Sequence, residues 1–172
     1  YAQARHGTAA RAPRPRTAPA QSGLNARRLA LEVLTDVREK GAYASLALGE
    51  RLRAARLSPE DRRLATGLVY GTLENQLQID YALDRLMDHP TREPVQRDIL
   101  RMGAYQILFL DRVPDSAAVD EAVKLTRAMG MEAACGFINA VLRILSRGKD
   151  EIAWPDREAD PMTYLGVMGS MP

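Results

Sequence analysis

Apolar residues recur at helical spacing near the end of the chain, and they constrain its fold more than any other feature. Between residues 134 and 145 they stand at Ala134, Phe137, Ile138, Val141, Leu142 and Leu145. One face of an α-helix carries this spacing, whereas a half-buried strand alternates every second residue. The segment is therefore predicted to be an amphipathic helix with one buried face.

Six earlier segments show the same spacing, and glycine or proline separates most of them. Gly41 and Gly130 are predicted to end the first and sixth helices, and Pro59 and Pro94 to open the third and fifth. Residues 99–110 are apolar on nearly every side, which is typical of a central, buried helix. With no convincing strand, the sequence predicts an all-α fold, a compact bundle of about seven helices.

Short polar residues mark three of the predicted helix starts. Asn25 is expected to cap the first helix, Ser58 the third, and Asp115 or Ser116 the sixth. Side-chain oxygens at this position accept hydrogen bonds from the free N–H groups of the first turn.

Two glycines on the third helix predict a close contact. Gly67 and Gly71 are four residues apart and so share one helix face. Because neither has a side chain, we expect another helix to approach closely there.

Acids on the polar faces are expected to pair with arginines nearby in sequence. Asp84 is expected to pair with Arg85, and Asp98 with Arg97 and Arg101. Helical neighbours of opposite charge commonly meet in this way, so these carboxylates do not indicate a catalytic pair.

The composition argues against several kinds of protein. Cys135 is the single cysteine, so no disulfide can form within the chain, and nothing indicates an oxidising compartment. The longest apolar run, Ile107–Leu110, is far too short to span a bilayer. Residues 1–23 have no apolar central stretch of the kind that a secretory signal needs. We therefore expect a cytoplasmic protein with no membrane partner.

The net charge of +2 hides an uneven distribution. Residues 1–28 carry six arginines and no acid, which leaves 18 bases against 22 acids in the remainder. Residues 1–23, rich in Arg, Pro and Ala, are predicted to form a disordered arm because their prolines forbid a continuous helix. A basic arm of this kind usually binds a polyanion such as a nucleic acid. A solubilising tail, an organelle transit peptide and binding of an acidic protein fit the same composition.

Four arginines make the front of the chain a candidate RNA interface. Arg14 and Arg16 in the arm, with Arg27 and Arg28 at the start of the first helix, are predicted to contact RNA. Guanidinium groups donate bidentate hydrogen bonds to phosphate oxygens and stack on bases. Such binding weakens steeply as salt is added.

Signals for catalysis are poor. His6 and His89 are the only histidines, and with Cys135 they do not make a metal site. Cys135 lies in or beside an apolar stripe, so a buried structural thiol is expected there. No glycine-rich loop follows a strand, as a nucleotide or methyl-donor site would need. We predict no catalytic, cofactor or metal site in this chain.

Four stretches, read together and in order, resemble the NusB-like domain family. They are DRRLATGLVYGTL (residues 61–73), LRMGAYQILF (100–109), VPDSAAVDEAV (113–123) and GFINAVLR (136–143). The resemblance covers about residues 25–147. It implies a helical RNA-binding domain over residues 24–148, with RNA contacts at the basic start of the first helix, where Arg27 and Arg28 stand.

Within this group, residues 69–73 (VYGTL) and 139–143 (NAVLR) look more like the RsmB (Sun/Fmu) family of ribosomal RNA cytosine-C5 methyltransferases. The resemblance implies a parent that takes a methyl group from S-adenosylmethionine, with its cofactor and catalytic cysteines in a domain absent from this chain. Residues 149–172 would then be a linker towards that domain. Cys135 matches neither catalytic cysteine.

Two alternatives stay open. A stand-alone NusB-type transcription antitermination factor has the same helical domain, and in that family a small ribosomal protein docks on the helical body. The second alternative is a helical protein–protein or dimerisation module without an RNA role, in which the basic arm is only a solvated tail.

Overall fold

The structure, a computed structural model, describes residues 19–89, 91 and 93–168, with side chains described from residue 23 onward. This part of the chain forms eight α-helices, two short 3-10 helices and no strand. The α-helices are α1 (Pro19–Lys40), α2 (Ala44–Ala54), α3 (Pro59–Glu74), α4 (Gln76–Asp84), α5 (Pro94–Phe109), α6 (Asp115–Ala128), α7 (Cys135–Gly148) and α8 (Pro161–Met168). The predicted all-α fold is confirmed, with seven helices in the predicted bundle and α8 after it.

Helix α1 begins earlier than predicted. It starts at Pro19, six residues before Asn25, so Asn25 is a helical residue and the prediction that it caps the helix is wrong. Proline suits a first helical turn because the N–H that it lacks would have no partner there. Residues 19–23 of the predicted disordered arm therefore belong to α1, and residues 1–18 lie outside the described part of the chain.

Helix α5 is the centre of the bundle, as its all-round apolar character predicts. It packs against α1, α3, α4, α6 and α7. Ile99, Leu100 and Ala104 are completely buried on it. A helix surrounded on several sides must be apolar on several faces, which explains the pattern seen in the sequence.

The two glycines of α3 behave differently. A Cβ atom added at Gly71 would lie 2.0 Å from Cζ of Tyr105 on α5, so a larger residue would force the Tyr105 ring to move. A Cβ atom added at Gly67 would meet nothing within 4 Å among the described residues. The expected close approach is correct for Gly71 and wrong for Gly67.

The predicted helix caps also differ in outcome. Ser58 caps α3, because its Oγ accepts a hydrogen bond from the N–H of Asp61 at 3.2 Å. At the start of α6 no side-chain cap forms. Asp115 instead accepts hydrogen bonds from Ser146 at 2.7 Å and from Lys149 at 3.2 Å, which ties α6 to the end of α7.

The chain after α7 rests against the bundle. Trp154 stacks on Tyr81 of α4 with ring centroids 5.8 Å apart, and the Tyr81 hydroxyl donates to the carbonyl of Ala153 at 3.0 Å. The Cζ atom of Arg85 lies 3.1 Å from the centroid of the Tyr81 ring, in cation–π geometry. Helix α8 then packs against α4. None of the described helices is both long and apolar enough to cross a membrane.

Candidate nucleic-acid interface

The four arginines predicted to bind RNA fall into two groups. Arg14 and Arg16 lie outside the described residues. Arg27 and Arg28 are both on α1. Consecutive helical residues point about 100° apart, so these two side chains enter different environments.

Arg27 faces into the bundle and is 7% exposed. Its Nε and Nη2 donate to Oε1 of Gln106 on α5, at 3.2 and 2.9 Å, and its Nη1 donates to the carbonyl of Gly23 at 3.3 Å. Burial lowers the pKa of Arg27, while the charges of Glu121 and Asp61 oppose that shift. With its donors used inside the protein, Arg27 fixes α1 on α5 and does not face solvent.

Arg28 faces outward, and half of its side chain is exposed. Its Nε lies 3.6 Å from Oε1 of Glu32, one turn further along α1. An exposed ion pair of this kind is weak, so the guanidinium is free to exchange this partner for a phosphate.

Beside Arg28 a groove of about 430 Å³ opens between α1 and the end of α2. We call it the arginine groove. It is lined by Asn25, Arg28, Leu29, Glu32, Arg51, Ala54, Ala55, Arg56 and Leu57. Three arginines against one glutamate make the lining positive, and the remaining side chains apart from Asn25 are aliphatic.

Arg51 joins the two walls of the arginine groove. It donates from α2 to Glu32 at 2.8 Å and to Asp36 at 2.9 Å, both on α1. The hydrogen bond from Arg51 is the main reason that the pKa of Asp36 is lowered, and Lys40 acts in the same direction. Arg51 is therefore a structural clamp as well as a source of positive charge.

The positive surface continues from α2 onto α3. Arg62 donates to the carbonyl of Leu52 at 3.0 Å, which holds the start of α3 against α2. Arg53, Arg56 and Arg63 are exposed, and none of them has an ion pair within 4.0 Å in the described part of the chain. These arginines are not among the predicted RNA contacts, although the run RLRAARLSPEDRR over residues 51–63 places them together in the sequence.

Cys135 is buried, and its Sγ lies 3.7 Å from the carbonyl of Val123, as expected of a structural thiol. Among the described residues, no group of three or more His, Cys, Asp or Glu side chains could hold a metal ion.

The eight α-helices of the described residues, with an arginine-lined groove between α1 and the end of α2, define a helical module with a basic surface. Within this class of module, the chain belongs to the NusB family, whose model matches residues 24–147. The match begins at Leu24, five residues after the start of α1, and ends at Arg147, in the last turn of α7.

Relatives of two kinds are similar to this chain. It is 35% identical over 147 residues to the probable ribosomal RNA small subunit methyltransferase B of Bacillus subtilis, covering 85% of this chain and 32% of that protein. It is also 35% identical over 139 residues to the transcription antitermination protein NusB of Nocardioides sp., covering 74% of this chain and 96% of that protein. The chain thus spans about a third of the methyltransferase relative.

A solved structure shares the fold. It is the crystal structure of the antitermination factors NusB and NusE in complex with dsRNA, with a TM-score of 0.67 and 21% sequence identity. The similarity covers 74% of this chain and 97% of the matched chain.

Proposed function

We propose that this chain is an RNA-binding domain. The observation that carries the proposal is the surplus of exposed arginines around the arginine groove, of which Arg56 and Arg63 have no ion-pair partner among the described residues. Phosphate contacts from such side chains supply most of the affinity for RNA. The relatives named for ribosomal RNA methylation support the same class of ligand.

Arg28 is the direct RNA contact in this proposal. Arg14 and Arg16, which precede α1 in the sequence, are proposed as further RNA contacts. Arg27 stays a prediction as an RNA contact, and its buried bonds to Gln106 favour a positioning role at the start of α1.

More specifically, we propose the substrate-recognition part of a cytoplasmic, S-adenosylmethionine-dependent ribosomal RNA cytosine-C5 methyltransferase. The alignment with the Bacillus methyltransferase covers more of this chain than the alignment with the Nocardioides antitermination protein. Residues 149–172 would form the linker to the catalytic domain, and that domain would hold the cofactor.

RNA binding is tested by fluorescence anisotropy with a labelled fragment of small-subunit ribosomal RNA, titrated at several salt concentrations. We expect a steep loss of affinity with salt, and Arg28→Ala should lower the salt slope by about 1. Arg143→Ala is the matched control, because Arg143 is also exposed but lies on α7 and bonds to Asn139. Undetectable or salt-insensitive binding would contradict the proposal.

The second candidate is a stand-alone transcription antitermination factor. It is favoured by the match to 96% of the Nocardioides protein. The structural neighbour pairs NusB with NusE, so this candidate predicts tighter RNA binding when a small ribosomal protein is added. An unchanged RNA affinity in its presence would argue against antitermination and leave the methyltransferase proposal standing.

A further inference from the structure

We infer that the arginine groove binds one unstacked nucleotide of a single-stranded RNA, with the base on the groove floor and the phosphates on its rim. The inference rests on the proposed RNA-binding function and adds a site for a base. A surface that held only phosphates would need charge alone, whereas this groove combines charge with an apolar floor.

The floor suits a base. Leu29 is buried, and Ala55 and Leu57 beside it are half-buried, so the groove bottom is aliphatic. Its volume of about 430 Å³ lies within the range of ligand pockets, roughly 300–1,000 Å³. A planar ring placed there would bury its face against aliphatic carbon and remove that surface from water.

The rim suits phosphate. Arg56 is exposed at one edge, without an ion pair among the described residues, and Arg28 is exposed at the other. Glu32 is the one acid in the lining, and Arg51 at 2.8 Å and Arg28 at 3.6 Å compensate its charge. Two guanidinium groups thus flank the floor, where they can bind the phosphates on either side of a nucleotide or stack on its base.

Asn25 adds a group that can read the base edge. It lines the groove, it is exposed, and its side chain makes no hydrogen bond with another described residue. Its amide offers both donors and an acceptor, as the polar edge of a base requires.

The arrangement favours a single strand. In a duplex the bases are paired and stacked inside the helix, so phosphates could reach the arginines but no base could reach Leu29. Bases in loops and single strands can unstack, so one of them could reach Leu29 on the groove floor.

The test fills the groove without removing charge. Ala54, the last residue of α2, is exposed and lines the groove, so Ala54→Leu would occupy the space of the base and leave every arginine in place. Ser45→Leu is the control, because Ser45 is exposed on the same helix outside the groove lining. The probes are a labelled single-stranded oligoribonucleotide, the same strand with abasic positions, and its duplex. Circular dichroism checks that each variant folds.

We expect Ala54→Leu to weaken single-strand binding about tenfold or more, with the abasic strand and the duplex nearly unaffected. Arg56→Ala should weaken binding of all three probes, because it removes a phosphate contact. If Ala54→Leu does not fold, the affinities of the unmodified protein for the intact and abasic strands test the base site instead. Equal single-strand affinity for Ala54→Leu and Ser45→Leu, or equal affinity of the unmodified protein for the intact and abasic strands, would overturn this inference and leave RNA binding intact. Absence of binding to every probe at low salt would refute the proposed function itself.

Discussion

Two arginine clusters lie along α1, and they differ in how many acids accompany them. The arginine groove is lined by Arg28, Arg51 and Arg56 and by one acid, Glu32, which pairs with Arg28 and Arg51, and Arg51 also bonds to Asp36. The second cluster is a partly buried ion-pair network that joins the other end of α1 to α4 and α5, with Asp98 as its buried member. Its contacts are Arg38–Asp98 at 2.9 Å, Arg101–Asp80 at 2.8 Å, Arg97–Asp84 at 2.8 Å and Arg97–Asp80 at 3.0 Å.

The comparison shows that arginine content alone does not identify an RNA interface. In the network, three arginines face three aspartates, and their side chains are only 12–27% exposed. Around the groove, Arg28 is 51% exposed. Arginines that are partly buried and matched by as many acids present few donors to a ligand, whereas exposed arginines with few acids keep their donors for phosphate.

The largest effect should come from breaking the network. Asp98→Ala would leave Arg38 and Arg101 without their shared carboxylate and should lower the free energy of unfolding by about 3–5 kcal/mol. Asp36→Ala at the groove is the matched change, with an expected loss of only about 0.2–1 kcal/mol for a pair nearer the surface. Urea denaturation of both variants measures the difference. Equal losses would show that the two clusters are not energetically distinct.

The ion-pair partners in the network could not be predicted from the sequence, whereas the helices could. The helices were predictable because their apolar spacing is local, and seven of them appear in the predicted order. The pairing of Asp84 with Arg85 was wrong, since Asp84 bonds Arg97 on α5 and Arg85 lies over Tyr81. Asp98 does meet Arg101, but not Arg97. Which arginines find acids depends on which helices meet, and sequence spacing does not contain that information.

The same limit applies at the candidate interface. Arg27 and Arg28 are adjacent arginines in the sequence and both were predicted to contact RNA. In the structure, Arg27 is buried and bonds to Gln106, which lies 79 residues further along the chain. Arg27→Met should therefore cost about 1–3 kcal/mol of stability, because Oε1 of Gln106 loses its donors inside the bundle. Arg28→Ala should barely change stability. Thermal unfolding of both variants tests this, and a larger loss for Arg28→Ala would contradict it.

The glycines of α3 offer a similar contrast between a buried and an open face. Gly71→Ala would force a Cβ atom against the Tyr105 ring and should destabilise the fold by about 1–3 kcal/mol. Gly67→Ala, whose Cβ meets open space, should stabilise the helix by up to about 1 kcal/mol. Opposite signs in chemical denaturation would confirm the packing of α3 on α5. A destabilising Gly67→Ala would show that this face is also covered.

The smallest effect concerns pH, where acids of the two clusters should act in opposite directions. The hydrogen bond from Arg51 lowers the pKa of Asp36, so its contribution is present above the unfolded-state pKa of about 3.9 and is lost as pH falls through the folded value.

Burial raises the pKa of Asp98 in spite of Arg38 and Arg101, so its contribution is largest below the unfolded-state pKa and declines as pH rises through the folded value. Urea denaturation of Asp36→Asn and Asp98→Asn across the acid range measures each contribution as the difference from the unmodified protein. That difference should grow with pH for Asp36 and shrink with pH for Asp98. Parallel trends would mean that burial does not dominate at Asp98, and the network would then resemble the groove more than its geometry indicates.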